Sequence, residues 1–316
     1  TFASLVIAAC SMYGFNLQER MTLNPKAKAW ENSGKYQGDI LLDEYQLARL
    51  VQARNEEKNA YIWPNTKWPE KTIPYVFGAG QFTSSEQSYI LAAMKEIEQE
   101  TCIKFRPRHW FERNYVMITS RPDGCYANVG YWSTRGIHTL NLARNGCILR
   151  TIVIHEWLHI IGFLHMQSTY NRDDYVRVMW QNIMPGMAFN FDKYSIDVVS
   201  NLGLPYEYDS NLHYGPYGFS VNGQPTLLPT KAHSGTMGQL DYVTKNDWKR
   251  VNRLYNCVGA AHLTTRPTRP KGPSSSSPEE QQVRCRPCGL SWDVPRLDHG
   301  SSGSGKCLCV NQNQTA

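Results

Sequence analysis

A chain of 316 residues with 41% hydrophobic content is long enough to bury one sizeable core and still carry appendages. Its formal net charge of +6 divides into zero over residues 11–58, +3 over 59–257 and +3 over 258–316, too diffuse to mark a nucleic-acid surface. No apolar run approaches the roughly 20 residues of a membrane span, so neither nucleic acid nor a membrane span is expected.

The first ten residues include Phe2-Ala3-Ser4-Leu5-Val6-Ile7-Ala8-Ala9-Cys10, an apolar stretch ending in small residues, and read as a signal-peptide remnant. Nine cysteines suit an oxidising compartment, so a secreted, extracellular protein is expected; loss of Cys10 would leave eight, an even number. Residues 11–58 lack a dense apolar pattern. Within them Tyr36-Gln37-Gly38-Asp39-Ile40 sets a Gly beside an Asp, either a plain turn or a point where backbone and carboxylate approach another surface. Leu47–Lys58 is helix-prone and then charged, an exposed connector suited to cleavage near Lys58 by an activating protease.

From Trp68 the texture is that of a folded domain. Ile73–Phe77 reads as a strand, and Thr83 with Glu86 forms a capping box opening a helix. Ile90, Leu91, Met94 and Ile97 give that helix a core stripe ending near Thr101. Residues 103–107, 115–120 and 137–142 are β-prone, and Cys125 and Cys147 bracket the last run. The strand near His138–Leu142 is expected to lie at an edge and pair with an extended peptide.

Next comes His155-Glu156-Trp157-Leu158-His159-Ile160-Ile161-Gly162-Phe163-Leu164-His165. On a helix His155 and His159 project from one face and can share a metal ion, and Gly162 can break the helix so that His165 returns as third ligand. Three protein ligands leave a position for water, with Glu156 beside it as general base, which points to one Zn2+ per chain and amide hydrolysis of a protein or peptide substrate. The plain alternative is a buried helix with surface histidines. If the metal is real, Asp39 can take the water's position and hold the chain latent as a zymogen. The rest of this half is loop-rich until Asp247–Tyr255, a helical pattern with Val251 and Leu254 on one side.

Beyond Cys257 the chain turns Thr-, Pro- and Ser-rich, a linker over 259–283, and ends in a tail, 284–316, holding Cys285, Cys288, Cys307 and Cys309. These four read as disulfides, with zinc as the alternative; Asn313-Gln314-Thr315 is a glycosylation sequon.

Residues 155–176, HEWLHIIGFLHMQSTYNRDDYV, together with Trp180-Gln181-Asn182-Ile183, Ser210-Asn211-Leu212-His213-Tyr214 and Leu254-Tyr255-Asn256-Cys257, resemble the astacin family of metalloendopeptidases over about residues 59–257. The resemblance implies an α+β, two-lobed metzincin-type domain over 59–258, with a twisted sheet and helices in the first lobe and loops in the second. It implies zinc ligands His155, His159 and His165, base Glu156, and Tyr214 as a switchable ligand that stabilises the tetrahedral intermediate. It also implies disulfides Cys102–Cys257 and Cys125–Cys147, a propeptide over 11–58 with Asp39 on the zinc, and maturation between Lys58 and Asn59. Two positions depart from the family. Met166 replaces a Glu that receives the mature N-terminus, and Leu212 replaces a Met beneath the zinc. A catalytically silent relative acting as a binding module is the competing class.

Overall fold

In the first half, β-branched and aromatic runs assemble into a five-stranded sheet: β1 (Thr72–Phe77), β2 (Lys104–Pro107), β3 (Tyr115–Thr119), β4 (Cys125–Ala127) and β5 (Ile137–Leu142), ordered β2-β1-β3-β5-β4. The computed structural model describes residues 33–44, 46, 67–196 and 199–257. Readings that concern the first ten residues, Lys58, Asn59, the linker and the tail cysteines lie outside them. Strands β1, β2, β3 and β5 are parallel, and β4 alone runs antiparallel, against β5. The strand at His138–Leu142 is therefore interior. The edge next to the site is β4, because the short chain from Thr119 to Cys125 turns back and covers β5.

Helix α1 (Ser84–Glu100) starts at the Thr83–Glu86 capping box and makes the crossover between β1 and β2. Ile90, Ala93, Met94 and Ile97 are its buried face, whereas Leu91 is 38% exposed. A residue directly after Ile90 lies about 100° round the helix, so Ala93 completes the stripe in place of Leu91. Helix α2 (Arg150–Ile161) is buried at every position from Thr151 to Ile161, as befits a helix enclosed on all sides.

The second half is loop-rich, with short 3-10 turns and one two-stranded ladder, β6 (Val176–Val178) on β7 (Leu227–Pro229). Helix α3 (Lys245–Leu254) begins at a second capping box, Thr244 with Asp247, and buries Val251, leaving Leu254 at the core margin. Asp247 also accepts from Ser210 Oγ (2.6 Å) and the Asn211 amide (2.9 Å), tying the loop that carries Tyr214 to a helix end.

Disulfides join Cys102 to Cys257 and Cys125 to Cys147. The first spans 155 residues, and closing a loop of that size is worth about 5 kcal/mol in the chain-entropy model.

His138 lies buried between Trp68 and Tyr131, with Nε2 accepting from the Trp132 amide (3.0 Å) and Nδ1 donating to the Gly136 carbonyl (3.3 Å). Burial lowers its pKa from 6.5 to about 3, helped by the charge of Arg135. A folded-state pKa below the unfolded one stabilises the fold above pH 6.5, and that stability is lost as pH falls towards 3. Between pH 7.5 and 5 this one ring is expected to account for about 2 kcal/mol. Urea unfolding of zinc-loaded protein at both pH values should show a smaller acid loss in His138→Gln by about that amount.

Candidate active site

Helix α2 places His155 and His159 one turn apart, and their Nε2 atoms lie 3.2 Å from each other. Gly162 ends the helix with φ 122°, a conformation a β-carbon would strain, and the chain turns so that His165 faces the same point. The freed carbonyls at this helix end are taken up. Trp68 Nε1 donates to Ile160 (2.7 Å), Tyr255 Oη to Ile161 (2.7 Å) and the Gly130 amide to His159 (2.9 Å).

Each imidazole is oriented through its other nitrogen. Nδ1 of His155 donates to the Asn211 carbonyl (2.6 Å), that of His159 to the Phe163 carbonyl (2.8 Å), and that of His165 to Gln37 Oε1 (3.2 Å). These bonds fix the tautomer, so all three Nε2 atoms turn lone pairs inwards. Asp39 closes the group, its Oδ2 at 3.0 Å from His155 and 3.2 Å from His165, and its Oδ1 at 3.5 Å from His159. The four donor atoms lie within 4.8 Å of one another and all four side chains are fully buried. Converging lone pairs and a carboxylate, shut off from water, are stable together only around a cation, and this donor set and spacing fit tetrahedral zinc.

Burial by itself would raise the Asp39 pKa, but the charges of His165 and His159 and a hydrogen bond to His155 hold it well below the carboxylate range. The His165 pKa is lowered as well, to about 4, chiefly by burial, which favours the neutral ring. Glu156 points into the same region with neither oxygen bonded among the described residues, and burial, reinforced by Asp39, pushes its pKa well up. Tyr214 is fully buried with its ring 4.9 Å from His165, and its hydroxyl donates to the Gln37 carbonyl.

Residues 33–44 lie across this site. Gln37, with φ 46°, and Gly38, with φ 85°, make the tight bend that presents Asp39. Ile40 then pairs in parallel with Ala127 of β4, through Ala127 N to the Asp39 carbonyl (2.9 Å) and Leu41 N to the Ala127 carbonyl (2.8 Å). The edge that an extended peptide would use is thus held by this segment.

Met166 is buried and its amide donates to the Leu212 carbonyl (2.9 Å). Leu212 is buried too and belongs to the hydrophobic core. Asp173 is already paired with Arg172 (2.9 Å) and Lys193 (2.5 Å). Sequence reading did not single out Gln37, Asn211 or Asp43. Asn211 acts on His155 through its backbone carbonyl, which leaves no trace in side-chain identity, and Gln37 meets His165 and Ser168 through its side chain across more than 120 residues of sequence, while Asp43-x-x-Gln46 is a capping pattern that could have been noticed.

The sequence model described as Astacin (Peptidase family M12A) matches residues 60–256. The zinc metalloproteinase nas-4 of Caenorhabditis elegans is 38% identical over 242 residues, covering 76% of this chain and 75% of the relative. An astacin-like metalloendopeptidase of Gallus gallus is 39% identical over 243 residues, and the chain spans 56% of that longer protein. Among solved structures, high choriolytic enzyme 1, a hatching-enzyme zinc protease from the medaka Oryzias latipes, superposes with TM-score 0.55 at 35% identity, covering 60% of this chain and 93% of that one.

Substituting Gly162→Ala should test how far the helix break holds the site. An alanine strained at that φ would shift Phe163, whose carbonyl orients His159, and zinc affinity should fall about 10-fold or more, as read by competition with a chromophoric chelator.

Proposed function

We propose, on the premise that this chain belongs to the astacin family, peptidase family M12A, that His155, His159 and His165 hold its zinc and that Glu156 is the base of its hydrolytic reaction. As a member of that family the protein is a zinc metalloendopeptidase. The observation that carries the assignment is Glu156 itself, a fully buried carboxylate with both oxygens unbonded among the described residues, directly after the first histidine. Burying such a group unpartnered costs several kcal/mol, which only a function in that position repays.

Bound zinc supplies Lewis acidity, lowering the pKa of water and polarising a peptide carbonyl. Glu156 takes one proton from the attacking water as its oxygen bonds to the carbonyl carbon, then returns it to the departing nitrogen as the C–N bond breaks. Tyr214 is within reach to donate its hydroxyl hydrogen bond to the oxyanion, once the Gln37 carbonyl that now receives it has left. Substrate lies extended on β4, using the Ala127 N–H and carbonyl that residues 39–41 occupy.

On this reading, residues 11–58 are a propeptide, Asp39 keeps the zymogen latent, and an activating protease cuts at Lys58. Export after removal of residues 1–10 agrees with two disulfides in the domain, which form in an oxidising compartment. Residues 259–283 and 284–316 act as linker and Cys-containing appendage.

Replacing Glu156 by Ala should leave close to one zinc per chain by metal analysis while lowering kcat/KM on casein-derived peptides by a factor of about 100 or more. Retention of near wild-type cleavage would remove Glu156 from the chemistry. The unprocessed Asp39→Ala chain should leak activity, since loss of the carboxylate reopens the water's position. An unprocessed variant as inert as the unprocessed parent would show that the segment blocks by bulk alone.

A further inference from the structure

Arg135 stands at the far end of the groove that residues 39–43 follow. Its Nη2 donates to Asp43 Oδ2 (2.6 Å) and to Gln46 Oε1 (2.7 Å), and its side chain is only 8% exposed. Nη1 is buried and has no partner among the described residues, so a guanidinium shaped for two parallel bonds to a carboxylate uses half its fork. The arginine is also held in place. Its amide donates to the Trp132 carbonyl (3.1 Å), and the Trp132 amide is in turn held by His138.

We propose that Arg135 is a specificity-determining residue of the mature enzyme, recognising an acidic side chain of the substrate about four residues from the cleaved bond. The inference rests on the peptidase reading above and on the course of the segment across the site. Asp39 marks the reacting centre, the chain pairs with β4 at Ile40, and Asp43 meets Arg135 four residues on, at most about 14 Å along an extended chain. Once that segment departs, Arg135 loses the carboxylate and the amide that now occupy its Nη2. A substrate lying where the segment lies covers the guanidinium in the same way, so one that brings a carboxylate to that place pairs the charge as it is desolvated, while a neutral one leaves it unpaired. Removing either member of such a pair costs more than the pair contributes in net terms, which favours selectivity over raw affinity.

The test uses enzyme matured from the full chain and a peptide without charged residues that is cut at one bond. Versions of it carry a single Asp, or a single Lys, at the third, fourth or fifth position on either side of that bond. Wild type should cut one of the Asp versions with kcat/KM at least tenfold above the neutral peptide. In Arg135→Gln that ratio should fall to about one, and in Arg135→Glu the Lys version at the same position should become the better substrate. Zinc content and thermal unfolding of both variants, with the variants' turnover of the neutral peptide, report whether the site is still assembled. A wild type indifferent to Asp, or a preference that survives in Arg135→Gln, would overturn the role of Arg135 while cleavage of the neutral peptide leaves the peptidase reading standing. Failure of the zinc-loaded wild type to cut any peptide would remove both.

Discussion

Everything about this domain turns on placing three imidazole lone pairs and a carboxylate at one dry point. None of the four is exposed, and no arrangement of neutral partners could satisfy them together. A cation is thus part of the electrostatic design, and the surrounding chain reads as a set of devices for aiming donors at it. A helix delivers two imidazoles, a glycine turns the chain to deliver a third, and backbone carbonyls on two different loops fix the tautomers of His155 and His159. The orienting groups are themselves tied down. Asn211 is anchored by Asp247 at the cap of α3, so a capping box far along the chain reaches the first histidine through two hydrogen bonds.

Much of this was legible before any coordinates. The spacing of His155, His159, Gly162 and His165 encodes ligand geometry directly, because a helix repeats its faces at fixed intervals and glycine alone takes the φ at the break. The capping box at Thr83 and the stripe of α1 are legible for the same reason, local rules acting on local residues. Leu91 joins that stripe in sequence because it is apolar, although its angular position sends it outwards. That His138–Leu142 is interior and not the edge has a deeper reason. Strand order follows from long-range pairing, and β4 is only three residues long, too short for a periodic signal. Asn211 escapes notice because its carbonyl does the work, and every residue has a carbonyl; Gln37 escapes because its partners His165 and Ser168 lie more than 120 residues away in sequence.

The two departures from the family pattern now have surroundings. Leu212 fills its place as an apolar side chain of similar volume, a swap that costs little. Met166 is buried, with its backbone bonded to Leu212, and offers no charge to an incoming ammonium. Asp173, the nearest substitute by sequence, is already engaged by Arg172 and Lys193.

The segment at 33–46 grips the domain at many separate points: Lys35 on Asp123, Asp39 among the histidines, Gln37 on Tyr214 and Ser168, Leu41 on Asn128, and Asp43 on Arg135. While it is joined to the domain through residues 47–66, it faces its own groove at an effective concentration in the millimolar range, so even a modest intrinsic affinity keeps it seated. A cut anywhere in that connector would break none of these contacts. It would change the arithmetic from unimolecular to bimolecular, and in dilute solution the same contacts would no longer hold. On the proposed reading of this segment as a propeptide, control of the site is a matter of tethering, and how fast the groove would clear after cleavage depends on dilution and on the dissociation rate of a peptide rather than on any rearrangement of the fold.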